Sequence, residues 1–212
     1  MLAEFHRRHP HVRLSLRFAT GGTTELAELL RQQTIDLAFL AVTESLSAGL
    51  DVTHLNTVPM VLLTPPEHRL ASTGPVGLHE LVDEPFVDFP PGWGGRIVVD
   101  EAFAAAGLTR SVEVEVEVEV GDISTFQHLI GNGFGVGFLP RPAFTHRARL
   151  RAVPLRSAPL WRFGARRPRR RSPELRHPST ARAGPPPPVA TILRLARQTG
   201  PVRRRRPERG CR

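Results

Sequence analysis

Three short stretches join glycines or hydroxyls to the start of a helical pattern: GGTT at 21–24, FPPGWGG at 89–95 and GDIST at 121–125. A helix start leaves backbone N–H groups without intrahelical acceptors, and a Ser or Thr there adds a hydroxyl, so such a loop suits a carboxylate or another small anion. The candidate ligand contacts are therefore Gly22, Thr23 and Thr24, then Phe89, Pro90, Gly92 and Trp93, then Asp122, Ser124 and Thr125. Taken singly, each loop reads as ordinary helix capping. Three of them on alternating segments point together to a ligand.

Other residues that could do chemistry lack the company chemistry needs. His6, His9 and His11 are close in sequence, but Pro10 separates the last from any helix and no cysteine or acid cluster joins them. A metal needs a fuller ligand set, so a surface role is expected and no metal or cofactor is implied. Glu113, Glu115, Glu117 and Glu119 alternate with valines, which puts them about 7 Å apart on one strand face, turned to water. Asp36, Asp88, Asp100 and Asp122 sit in no HExxH, GxSxG or P-loop context, so the chain is not expected to be an enzyme.

The elements that must position the three loops alternate in type. Residues 1–8 read as helix, ended by Pro10, and Val12, Leu14, Leu16 and Phe18 alternate with polar residues as a strand. A helix from Thr23 or Thr24 to about Gln33 leads to an apolar strand at Leu37–Val42. Further strands are expected at 58–63, 86–89, 112–120 and 135–139, with a short helix in GLHELVDEP and longer ones at 96–106 and 124–132. In GNGFGVGFLP (131–140), Gly133 falls where the last helix needs a left-handed residue just past its end. Gly135 and Gly137 strip bulk from the next strand, so a small molecule or a packed neighbouring segment can approach it. This alternation argues for α/β layering with mainly parallel sheets, which bind ligands at the carboxyl ends of their strands.

Charge divides the chain. Residues 166–212 hold 15 Arg, two acids and nine Pro, a net +13, whereas residues 1–165 carry a net −4. The body lacks the positive field of a phosphate-gripping domain, and the basicity belongs to the tail. With Pro178 and four consecutive prolines at 185–188, the tail from about 166 is expected to be disordered, with one marginal helix at Val189–Gln198. The single cysteine, Cys211, allows no internal disulfide, and no apolar run approaches 18 residues. A cytoplasmic setting without membrane contact is expected.

HPHVRLSLRF, GGTTELAELLRQQTIDLAFL, VLLTPPEHRLA, EPFVDFPPGWGGRIVVDEAFAAAGL and GDISTFQHLIGNGFGVGFLP, in that order over about residues 1–165, resemble the effector-binding domain of LysR-type transcriptional regulators. The resemblance implies a two-lobed fold like that of type II periplasmic binding proteins, holding a small effector, often an organic acid, in an interlobe cleft. It implies one lobe at about 1–64 and 147–165, the other at about 65–146, and a homo-oligomer in the parent family. Thr23 matches a position that commonly contacts the effector from the first lobe, Phe89 and Pro90 match the strand exit lining the cleft from the second, and Gly133 to Pro140 match the segment returning to the hinge.

The family pattern begins with a helix-turn-helix and linker helix, and none of that precedes Met1. The expectation is thus a truncated effector domain whose DNA contact belongs to a module absent from this chain, and whose first lobe, lacking the family's first strand, has an unpaired edge. Two alternatives are kept: an arginine-tailed accessory protein binding nucleic acid without sequence selectivity, and a cytosolic fragment of a solute-binding protein.

Overall fold

The computed structural model describes residues 2–116, 123–144, 149–168 and 191–197. A short helix, α1 (Leu2–Arg8), precedes β1 (Val12–Phe18), α2 (Gly22–Arg31) and β2 (Leu37–Ala41). Leu26, Ala27 and Leu30 recur at helical spacing, so α2 buries one stripe against β2 and closes a core with Ala19, Ile35, Ala38, Leu40 and Leu50. Gln33, with φ 58°, reverses the chain after the helix.

The next strand is much longer than its apolar run. β3 spans Leu50–Thr64, and its first part, exposed over Val52–His54, has little apolar patterning. That part is extended because it pairs along its length with β8 (Leu160–Pro168), from Leu50 opposite Pro168 to Pro59 opposite Leu160. At Met60 the strand changes company: Met60 to Thr64 are all buried and pair with β6 (Gly137–Pro140) and β7 (Arg151–Val153). The chain therefore passes from one sheet to another at Pro59–Met60 and returns between Val153 and Leu160.

In the second half, β4 (Phe86–Asp88) and β5 (Val112–Glu115) run parallel, and Phe86 bridges to Val136 just before β6. Helices α3 (Gly94–Ala105) and α4 (Ile123–Gly131) complete this half, and the short helix expected at GLHELVDEP is one 3-10 turn, Leu78–Leu81. Phe86, Phe103 and Phe138 share one core with Met60 and Leu62, while Val87, Phe89, Phe126 and Ile130 share another with Val61 and Leu63. Gly133, at φ 83°, takes the left-handed conformation expected past α4. At Gly135 the close neighbour is the backbone, since a Cβ there would lie 2.3 Å from the Pro85 carbonyl oxygen. The glycines thus admit a packed segment, the entry to β4.

Four expectations are corrected. Apart from β4–β5 and two isolated bridges, the described ladders are antiparallel, because β3, β8 and the last described strand, β9 (Thr191–Arg197), each run against their neighbours. The helix expected at Val189–Gln198 is instead a strand, β9 (Thr191–Arg197), seated between β1 and β2 and antiparallel to both. A ten-residue helix is marginal by itself, whereas two flanking strands supply both backbone ladders. The same strand occupies what was expected to be an unpaired edge, and β8 extends to Pro168, past the boundary expected at 165. The expected strand at 112–120 is seen over Val112–Glu115; residues 117–120, and the tail at 169–190 and 198–212, lie outside the described residues.

Candidate functional site

The first two candidate loops meet. Gly21 and Gly22 turn the chain from β1 into α2, and the Gly21 N–H donates to Glu25 Oε2 at 2.7 Å. Thr23 is buried on the inner side of this first turn, while Thr24 faces the loop that leaves β4. The Thr24 N–H donates to the Gly92 carbonyl at 3.1 Å, and its hydroxyl reaches the same oxygen at 3.3 Å. Beside this contact, a Cβ on Gly94 would stand 2.6 Å from Ala41 Cβ, 2.7 Å from Thr23 Oγ1 and 3.2 Å from the Trp161 ring. The start of α3 is thus seated on α2, on β2 and on the returning strand β8 with no room for one more carbon.

Aromatic rings carry the loop from the other side. Trp93, the residue before α3, stacks on Phe89 with centroids 5.8 Å apart, and Phe89 stacks on Phe126 at 4.7 Å. Phe126 belongs to α4, so the third loop joins the seam through this ring; Ser124 and Thr125 are exposed in the first turn of that helix. Asp122 lies outside the described residues.

Behind the loop is a charged anchor that sequence reasoning did not assemble. Arg110 Nη2 is 2.5 Å from Asp88 Oδ2 and 2.7 Å from Asp100 Oδ1. Arg96 donates to Asp100 at 2.7 Å and to the Phe89 carbonyl at 3.3 Å, so it ties α3 directly to the loop. The Arg110 guanidinium lies 4.9 Å from the Phe86 ring centroid and 5.7 Å from that of Phe103, and its Nη1, buried there, has no hydrogen-bond partner among the described residues. Burial pushes the Asp88 carboxyl above its ordinary range, against the pull of Arg110, the Phe89 N–H and Arg96. The four-residue spacing of Arg96 and Asp100 was a legible signal for one pair of this anchor. Nothing local marked Arg110.

An open groove of about 470 Å³ lies further along α3, lined by Thr43, Glu44, Glu101, Pro159 and Arg162 among others. None of the nine candidate contacts among the described residues lines it. Ser45 crosses near it to donate to Glu101 at 2.8 Å, a second polar link between the halves. Among the described residues no group of three or more potential metal ligands comes together, and no helix is long and apolar enough to cross a membrane.

The arrangement brings main-chain and hydroxyl donors of one half to face an aromatic loop of the other, across a junction that two strand crossings connect. The family model for the LysR substrate binding domain matches residues 1–177. The HTH-type transcriptional regulator CysB of Burkholderia cenocepacia is 32% identical over 161 residues, covering 73% of this chain and 48% of the relative. The Transcriptional dual regulator GltC of Bacillus subtilis is 31% identical over 144 residues, 68% of this chain and 46% of the relative. The chain spans about half the length of the curated relatives it matches. Among solved structures, the Synechocystis PCC6803 CcmR regulatory domain in complex with 2-PG shares the fold at a TM-score of 0.65 and 20% identity, covering 79% of each chain. By the family match and the shared two-sheet fold, the chain belongs to the LysR substrate-binding-domain family.

Proposed function

We propose that this chain is the effector-sensing part of a LysR-type transcriptional regulator. It binds a small anion at the seam between the start of α2 and the loop 89–93. The observation that carries this reading is the convergence on one point of the Thr24 N–H and hydroxyl from one half and of Gly92, Trp93 and Phe89 from the other. The start of α2 supplies donors and a favourable dipole for negative charge, and the stacked rings give a planar or ring-shaped acid an apolar wall. Neighbouring solved structures support the ligand class, since one regulatory domain is described with 2-PG and effector domains of QuiR and BenM with shikimate and benzoate.

The proposed role is population shift. A ligand that touches both halves favours one of their arrangements over the other, and an oligomer passes that bias to a DNA-binding module. The protein is proposed to be cytoplasmic and without catalysis of its own. Its lobes are proposed to divide where the strands change partners, at Pro59–Met60 and between Val153 and Leu160.

A thermal-shift screen of organic acids and phosphate esters, with shikimate and benzoate included, tests this. A ligand at 100 times its dissociation constant stabilises by about 2.7 kcal/mol. A broad panel that leaves the melting temperature of a folded sample unchanged defeats the reading.

A further inference from the structure

We propose that the Gly92 carbonyl is an internal stand-in for the anion: it latches the two halves together through Thr24, and a ligand must displace it. The proposal rests on the ligand reading above and adds a competitor built into the chain. Thr24 is the third residue of α2, so its N–H has no acceptor one turn back in the helix. Such a donor is what an anion at a helix start would take, and here both Thr24 donors point at one carbonyl oxygen, at 3.1 and 3.3 Å. The oxygen carries only a partial charge, so it fills the position more weakly than a carboxylate or phosphate.

The latch is shaped on the loop side as well. Gly92 turns its carbonyl toward α2 at φ 92°, a conformation that a side chain strains, and a Cβ there would lie 3.2 Å from Thr24 Oγ1. Arg96 holds the neighbouring Phe89 carbonyl at 3.3 Å, and Trp93 is braced on Phe89, so the loop is positioned from behind rather than by Thr24 alone. At Gly94 the seam has no space for a methyl group, because Ala41 and Thr23 already stand within 2.7 Å of where it would be. Closure therefore needs a bare backbone at Gly94, and it presses the Gly92 carbonyl against Thr24.

Two variants reach the latch by different routes. Gly92→Ala strains the loop that aims the carbonyl, and Gly94→Ala wedges the seam without altering Gly92 or Thr24. Hydrogen exchange, read residue by residue by NMR on the full chain, gives the first arm. In the wild type the Thr24 amide is expected to exchange at least about tenfold more slowly than an unprotected amide, and in each folded variant to return to the unprotected rate while Leu30 stays protected. An unprotected Thr24 in the wild type, with Leu30 protected, overturns the proposal, as does protection unchanged in both variants.

The second arm titrates inorganic phosphate and sodium benzoate by calorimetry. Tighter binding to Gly94→Ala than to the wild type, by about threefold or more, supports competition by the carbonyl, because the closed fraction no longer has to be opened. Equal affinity overturns it. If no anion binds either protein, the ligand reading and the competition fall together, and Thr24 exchange still decides whether the latch exists.

Discussion

Arg110 and Asp88 face each other at 2.5 Å with each side chain only 3% exposed, and Asp100 shares the same guanidinium from α3. Asp88 ends β4 and accepts the N–H of Phe89, the first residue of the candidate loop. The pair therefore sits where the sheet hands the chain to the functional seam, and its strength sets how firmly that loop is held.

Arg110→Met should cost about 3 kcal/mol at neutral pH, because it leaves a buried carboxylate without its main partner. The loss should shrink in acid. A carboxyl whose folded pKa is raised contributes stability that is present below the unfolded value and is lost as pH rises through the folded one. Removing Arg110 raises it further, so the gap between variant and wild type widens from acid to neutral. Urea unfolding at about pH 4 and about pH 7 checks this, and equal gaps at the two values would contradict the assigned cause.

Phe126→Ala should cost about 3–5 kcal/mol, since the ring is fully buried and is the support on which Phe89 stacks. Phe89 in turn carries Trp93, so the tryptophan emission of the folded variant should move as well. Chemical unfolding followed by fluorescence measures both; an unchanged midpoint would show that α4 does not brace the loop.

Leu193→Pro should release β9. Residue 193 pairs with Leu16 on one side and Leu37 on the other, and a proline in a central strand removes a ladder donor. Amides of β1 should lose exchange protection, because β9 is the partner strand of β1 among the described residues, while β2 keeps β8. Protection of residues 12–18 that survives the substitution would show that β9 is not what pairs them.

Glu101→Gln should change stability by less than about 0.5 kcal/mol, although the residue takes a hydrogen bond from Ser45 across the two halves at 2.8 Å. Both residues are exposed, so water replaces the contact at little cost. A loss several times larger, seen in thermal or urea unfolding, would make the groove side of the seam a structural hinge.

Much of the local order was legible. The alternation of Val12, Leu14, Leu16 and Phe18 gave β1, the stripe of Leu26, Ala27 and Leu30 gave α2, and Gly133 marked the end of α4 because only a left-handed residue fits there. The loops at 21–24 and 89–95 were legible as helix starts. That they touch was not, since the Thr24–Gly92 contact joins residues 68 apart and depends on how two sheets are set against each other.

Most of the succession of helices and strands, and the positions where backbone donors are left over, follow from neighbouring residues, because each depends on contacts within a turn or a strand. The remainder comes from the folded chain. It made a strand of Leu50–Thr57 by laying β8 beside it, turned Thr191–Arg197 from an expected helix into a strand by offering two ladders, and drew Arg110 to Asp88 across 22 residues. In each case the free energy comes from a partner distant in sequence, whether an unpaired strand edge or a buried charge, and no local pattern can announce a partner that only the folded chain brings near.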